Sequence, residues 1–223
     1  MNRPSPLPTL KAALRAYPDA KSPVTNLLLG LVVLVFSMEV ALTSMLPPAT
    51  IRTVATGLFG VYPVIAWLFA PVLHSGILHV SATVLGLVVV GIPVEQHWSR
   101  LRYAAFLLLT GYATIGAGAG VLWLFSGQQV AFYGTSGVIY ALAGFALTNF
   151  PRHGDALSPI ETAAILVGGI AALLVLIDPL TGPYLAPRWI NGGHTTGLLL
   201  GLLTGWTERG NSHTRIPDSP DSQ

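Results

Sequence analysis

The sequence predicts an all-α membrane protein, a bundle of six transmembrane helices, and two observations carry that prediction. Of the 223 residues, 52% are hydrophobic and only 9% are charged, whereas soluble domains carry roughly 25% charged residues. The apolar residues also fall into six long runs, the first two of which are separated by a long semi-apolar connection and the others by shorter segments. With so few charges to cover a water-exposed surface, we expect a single integral membrane domain.

The first run begins at Val24, after a polar leader (1–23) that carries four basic residues. It is long enough to cross a hydrocarbon core of about 30 Å, and too long for the apolar core of a signal peptide. A polar tail, which is predicted to be disordered, follows the last run (208–223), so the membrane domain is predicted at 24–207. The predicted spans are Val24–Leu46, Gly76–Val94, Tyr103–Phe125, Gly134–Phe150, Ile160–Ile177 and Gly192–Thr207.

The basic residues predict the orientation of these spans. Six spans place both ends of the chain on one side of the membrane, and nine basic residues fall on that side against two on the other. Because cytoplasmic loops are enriched in Lys and Arg, we expect both termini to be cytoplasmic. The long semi-apolar connection between spans 1 and 2, residues 49–75, then lies at the outer membrane surface.

The fourth span places a serine where an apolar helix begins. The stretch "FYGTSGVIYALAGF" carries Ser136 between Gly134 and Gly137, with Tyr140 one turn later. From Thr135 to Phe150 a helix would reach only ~24 Å at 1.5 Å per residue, so it should start below the outer surface. Unpaired N–H groups and the positive end of the helix dipole would then surround the serine.

The last span supplies a base. Its sequence "NGGHTTGLLLGLLTG" repeats glycine every four residues, at Gly193, Gly197, Gly201 and Gly205. Such a stripe lets a neighbouring helix approach to backbone contact, and His194 lies on or beside it. We therefore expect the last span to pack on the fourth and His194 to take the Ser136 proton. Stacking by Tyr140 could replace the third member of a triad.

The second span offers two further polar groups, His79 and Thr83, one turn apart near the outer end. Both could donate hydrogen bonds to an oxyanion. His74, His79 and His194 could instead bind a metal, but no carboxylate or HExxH-type pair accompanies them. We therefore predict neither a metal nor a cofactor.

Together these motifs resemble the rhomboid intramembrane serine proteases. The resemblance rests on "GTSGVIY", on "NGGHTTGLLLG", on His79 and the "GIPVE" ending in Glu95, and on the long outer connection, over roughly residues 57–205. It implies a six-helix bundle in which Ser136 is the nucleophile and His194 the general base, while the Ser136 amide and His79 stabilise the oxyanion. The family commonly has Asn where this chain has Thr83, whose shorter hydroxyl should contribute less.

The resemblance also implies the partners: single-span membrane proteins cleaved near the outer face, within the lipid bilayer, and no nucleic acid. Two other functions fit parts of the pattern. A non-catalytic rhomboid-like protein would bind membrane clients, although such proteins usually lack the serine or the histidine. A small transporter could use Glu39, His74, His79 and His194 as a proton path, but it would leave the surroundings of Ser136 without a purpose.

Overall fold

The protein is all-α, as the sequence predicts, in the residues that its computed structural model describes: 21–47, 50, 67–74, 76–126, 133–150, 157–185 and 192–213. Within these ranges there are six long helices and no strand. A short 3₁₀ turn, Ala70–Val72, precedes the second helix. The helices are α1 Pro23–Met45, α2 Ile77–Glu95, α3 Arg100–Ser126, α4 Ser136–Asn149, α5 Pro159–Leu185 and α6 Gly192–His213.

Four of the described helices, α1, α2, α3 and α5, are long and apolar enough to cross a membrane. Helix α4 is apolar but has only 14 residues, about 21 Å at 1.5 Å per residue, in line with the short fourth helix that the sequence predicts. The six-span topology with cytoplasmic termini stays a prediction. Most of the basic leader and the last ten residues of the tail lie outside the described residues.

Two helices extend beyond their predicted ends. Helix α5 continues from Ile177 to Leu185, through residues predicted to form an outer loop, two of which are prolines. Membrane helices tolerate proline where neighbours satisfy the freed backbone groups. Helix α6 continues to His213, into the tail predicted to be disordered. Glu208 on this extension pairs with Arg102 of α3, which gives the last turns of α6 a tertiary contact.

The predicted cytoplasmic end of the bundle is fastened through α2. Glu95, 3% exposed, accepts hydrogen bonds from the backbone N–H groups of Val24 (2.9 Å) and Thr25 (2.8 Å) in the first turn of α1. These are groups that a helix start leaves without an intrahelical partner. The sequence predicts that Glu95 ties this end together, with Arg100 or Arg102 as possible partners; the structure shows that its partner is α1.

A π-helical segment, Leu87–Gly91, interrupts α2 just before Glu95. The Gly91 carbonyl accepts a hydrogen bond from the Tyr103 hydroxyl (3.0 Å), whose oxygen lies 3.0 Å from Thr25 Oγ1. A side chain at Gly91 would come within 3.1 Å of that hydroxyl oxygen. The π segment therefore lets α1, α2 and α3 meet around one buried tyrosine.

Helices α4 and α6 form the most extensive helix–helix interface described. Helix α4 is buried along most of its length, from Gly137 to Ala146 except for two partly exposed residues. A Cβ at Gly201 would overlap the Ala141 carbonyl and lie 2.9 Å from the nitrogen of Phe145. The predicted glycine stripe of the last helix therefore does bring α6 to backbone contact with α4.

Candidate active site

Ser136 and His194 meet at the first turns of the two closely packed helices. Ser136 is the first residue of α4 and His194 the third of α6. The serine Oγ lies 2.8 Å from His194 Nε2, within the range expected for a nucleophile and its base. With Nε2 unprotonated, the serine hydroxyl donates its hydrogen to the ring and can transfer that proton as it attacks.

Tyr140 fixes the plane of the histidine ring. The two rings stack with their centroids 4.2 Å apart and an interplanar angle of 7°. Tyr140 lies one helical turn after Ser136, on the same side of α4. This side of the helix therefore places the serine at the edge of the imidazole and the tyrosine ring against its plane. The sequence predicts this stacking as a substitute for a triad carboxylate.

Two glycines set the distance between Ser136 and His194. A Cβ at Gly137 would lie 2.5 Å from Thr114 Cβ on α3, and a Cβ at Gly197 would overlap the Gly137 carbonyl and lie 3.1 Å from its carbon. Contacts under 3.0 Å force a neighbour to shift, and neighbours made of backbone cannot shift alone. Gly137 and Gly197 are therefore required for α3, α4 and α6 to converge directly beside Ser136.

Gly134 has a backbone conformation that other residues rarely adopt, with φ +116°. A Cβ there would also lie 2.8 Å from Cε1 and 3.0 Å from Nε2 of the His79 ring. The Gly134 N–H donates to the Ala70 carbonyl (2.8 Å), and the Thr135 hydroxyl donates to that of Pro71 (2.6 Å). The 3₁₀ turn thus holds the chain just before Ser136 and leaves room for His79 beside it.

The helix start itself offers donors. The first helical hydrogen bond of α4 runs from the Val138 N–H to the Thr135 carbonyl, at 3.0 Å. The N–H groups of Ser136 and Gly137 precede it, so helix geometry gives them no carbonyl one turn earlier. Backbone donors therefore lie beside Ser136, and the His79 ring lies against Gly134, two residues before it.

Thr83 faces His74 in this structure. Its hydroxyl oxygen lies 3.2 Å from His74 Nε2, and His74 Nδ1 lies 3.0 Å from the Val72 carbonyl. A carbonyl only accepts, so Nδ1 carries the hydrogen. Burial, with a smaller effect from nearby His79, lowers the pKa of His74, so the ring is neutral near pH 7 and its Nε2 accepts the Thr83 hydrogen.

The structure thus brings Ser136, His194 and Tyr140 together and places the His79 ring against Gly134, with Gly134, Gly137 and Gly197 leaving the necessary space. Gly201 lies further along the α4–α6 contact, and the role of Thr83 as an oxyanion donor stays a prediction.

Two residues were not predicted to belong to the site's surroundings: Thr114, and His74 as a hydrogen-bond partner. Neither has a readable signal: Thr114 acts through a contact with another helix, and His74 through the turn that leads into α2. In the described ranges, no three His, Asp or Glu side chains form a group that could hold a metal.

Comparisons with known proteins identify the family. A family model for the Rhomboid domain matches residues 61–211. The Rhomboid protease GlpG of Yersinia pseudotuberculosis serotype I (strain IP32953) is 30% identical over 152 residues, which are 66% of this chain and 50% of that protein. The RHOMBOID-like proteins 1 and 5 of Arabidopsis thaliana are each 27% identical, over 59% and 60% of this chain and 32% and 40% of their own lengths.

The matched region is thus a third to a half of these relatives. The family match covers the helices that carry Ser136, His194 and His79. With a Rhomboid domain over most of its length and an all-α bundle of apolar helices, this chain is an integral membrane protein that belongs to the rhomboid family.

Proposed function

We propose that the protein is an intramembrane serine endopeptidase that cleaves single-span membrane proteins near the outer membrane face. The observation that carries the proposal is the 2.8 Å approach of Ser136 Oγ to His194 Nε2, at the start of a helix and with Tyr140 stacked on the imidazole. Family membership and the relative named as a protease support the reaction class. The predicted orientation, with both termini cytoplasmic, would place the pair towards the outer side of the cell membrane.

In the acylation step, Ser136 Oγ attacks the carbonyl carbon of the scissile peptide bond while His194 Nε2 takes the hydroxyl proton. The carbonyl oxygen becomes an oxyanion, to which the Ser136 N–H and an N–H of His79 would donate. His194 then gives its proton to the leaving nitrogen, the C–N bond breaks, and an acyl-serine remains. Water, activated by the neutral His194, hydrolyses the ester and restores the serine.

Thr83 contributes less to this step than His79. Its hydroxyl hydrogen is used by His74 Nε2 at 3.2 Å, so in the resting enzyme its oxygen has no second hydrogen to donate to an oxyanion. The asparagine common in the family could bond such a ring and still keep a donor. We therefore assign the two principal donors to the Ser136 amide and His79.

The preference for single-span substrates has a physical basis. A peptide bond inside a helix has its carbonyl hydrogen-bonded and its backbone shielded, so it must unwind before attack. Helices that contain Gly or Pro unwind at lower cost. Small residues beside the cleaved bond would let the substrate segment reach the serine between closely packed helices. The 14-residue α4 is too short to span the membrane fully, which supports a site recessed from the surface but reachable by water.

The paired geometry disfavours the two other functions that the sequence left open. A protein that only binds membrane clients needs no serine and histidine at hydrogen-bond distance under a stacked ring. A proton path through Glu39, His74, His79 and His194 would need titrating groups that exchange protons in series, yet His74 is bonded to a carbonyl and a hydroxyl.

The test is cleavage of a fluorescent single-span substrate by the purified protein in liposomes. We expect the wild type to cleave, and Ser136→Ala and His194→Ala each to lose at least about 10³-fold in kcat while retaining the wild-type unfolding temperature. Gly169→Ala is the matched control, because a Cβ at Gly169 meets nothing within 4 Å. Cleavage that persists in Ser136→Ala would overturn the proposal.

A further inference from the structure

Glu39 is a carboxyl group inside α1, the least buried of the four helices that are long and apolar enough to cross a membrane. Its neighbours Met38, Val40 and Leu42 are exposed and apolar. Its Oε1 accepts a hydrogen bond from the backbone N–H of His74 at 3.4 Å, while its Oε2 is fully enclosed and has no hydrogen-bond partner among the described residues. An ionisable group in such a place is costly, and the proposed chemistry does not use it.

His74, which Glu39 holds by its backbone, contacts the oxyanion side of the site with its ring. That ring bonds to Thr83 and lies edge-on to His79, with centroids 5.0 Å apart and an interplanar angle of 64°. A shift in the backbone of His74 would therefore move the group against which the His79 ring packs.

The segment that ends at His74 also holds the chain before the nucleophile. Its Ala70 and Pro71 carbonyls accept hydrogen bonds from the Gly134 N–H (2.8 Å) and the Thr135 hydroxyl (2.6 Å). Residues 70–74 thus contact both sides of the site, His79 on one and the start of α4 on the other. Glu39 fastens the far end of this segment to α1.

We propose that Glu39 is a positioning residue, which fixes the 70–74 segment and thereby the placement of His79 and of the helix start at Ser136. It touches none of the reacting atoms. This inference rests on the proposed function and adds to it a part for α1, which carries no catalytic group. Because the oxyanion forms only on the way to the transition state, misplaced donors should lower kcat with little change in KM.

The test compares Glu39→Leu, which removes the acceptor, with Glu39→Gln, which keeps an acceptor oxygen without the charge. We expect Glu39→Leu to lower kcat about tenfold with unchanged KM, less than the 10²–10³-fold loss of an entire oxyanion donor. Glu39→Gln should stay within about threefold of the wild type. Ser37→Ala is the matched control on the same helix, since its hydroxyl bonds only the Val33 carbonyl of α1.

A second readout does not depend on catalysis. Amide hydrogen exchange in a peptide covering residues 70–79 should be faster in Glu39→Leu than in wild type, and unchanged in Ser37→Ala. If Glu39→Leu does not fold, Glu39→Asp, which withdraws the carboxylate by one methylene, should show a smaller change in the same direction. If the wild type shows no proteolysis, the proposed function fails and the exchange comparison alone decides whether Glu39 holds the segment.

Two results would overturn the inference. One is a Glu39→Leu variant with wild-type kcat and wild-type exchange at residues 70–79. The other is a Glu39→Gln variant as impaired as Glu39→Leu, because the charge itself, and not the position of an acceptor, would then be what the site requires.

Discussion

Helix α6 and helix α1 are attached to the bundle in opposite ways. Helix α6 lies against α4 at backbone distance, and its glycines leave no room even for a methyl group at Gly197 or Gly201. In α1, Thr25 and Val32 are the buried residues, and carboxylate contacts fasten it near both ends, one from Glu95 and one through Glu39. The difference separates two tasks: close packing sets the distance between nucleophile and base, while polar contacts fasten the supporting helix.

A methyl group added to the α4–α6 interface tests this difference most strongly. In Gly201→Ala the new Cβ would overlap the Ala141 carbonyl, so α4 and α6 must separate. We expect activity to fall by about 10²-fold, as a displacement of ~1 Å at reacting groups can cause, and stability to fall by about 1–3 kcal/mol. Gly30→Ala on α1, where a Cβ meets nothing within 4 Å, should change neither kcat nor the unfolding temperature.

Equal activity in the two glycine variants, measured at a temperature at which both are folded, would contradict the assignment of distance control to the α4–α6 contact.

A separate prediction concerns α2, which contacts both regions. His79→Ala removes a proposed oxyanion donor, and kcat should fall by about 10²–10³-fold. Thr83→Val removes a hydroxyl that is bonded to His74 and should cost less than about tenfold. Steady-state kinetics on the same substrate would rank the two variants, and a greater loss in Thr83→Val would show that the threonine is the main donor.

The smallest effect on kcat is expected at Glu95, which forms the other polar contact with α1. Glu95→Gln replaces a carboxylate that accepts two backbone N–H groups with an amide that can accept through one oxygen. Hydrogen bonds to charged groups contribute about 1.5–3 kcal/mol, so the unfolding temperature should drop clearly. Because Glu95 lies at the opposite end of α2 from His79, kcat measured well below that temperature should stay within about twofold. A large loss of kcat without loss of stability would give Glu95 a part in catalysis.

The sequence predicted the pairing of Ser136 with His194 better than it predicted the contacts around them. Ser136 and His194 each lie beside glycines whose spacing is local and readable, and a helix that is too short for the membrane indicates where it must start. By contrast, the contact of Glu39 with the His74 backbone joins residues 35 positions apart, and the His74–Thr83 bond depends on how the chain turns into α2; no periodicity encodes either. The ends of α5 and α6 were missed because a tertiary contact and the membrane environment override local signals from Pro and from polar residues.

The partner of Glu95 shows the same limit. A carboxylate at the end of a span predicts a stabilising contact there, and nearby Arg100 and Arg102 are the obvious candidates. Folding brings the free N–H groups of α1 to it instead, and Arg102 pairs with Glu208, 106 residues away. Residue type predicts that a bond forms, whereas the partner depends on which helix ends the bundle brings together.

The central claim, that Ser136 is a nucleophile activated by His194, is tested most directly by covalent labelling. The protein in liposomes would be treated with a fluorophosphonate probe and the modified peptide identified by mass spectrometry. We predict a single adduct on Ser136 in the wild type, none in Ser136→Ala, and labelling at least about 10²-fold slower in His194→Ala. An adduct on another residue, or a labelling rate unchanged in His194→Ala, would contradict the account.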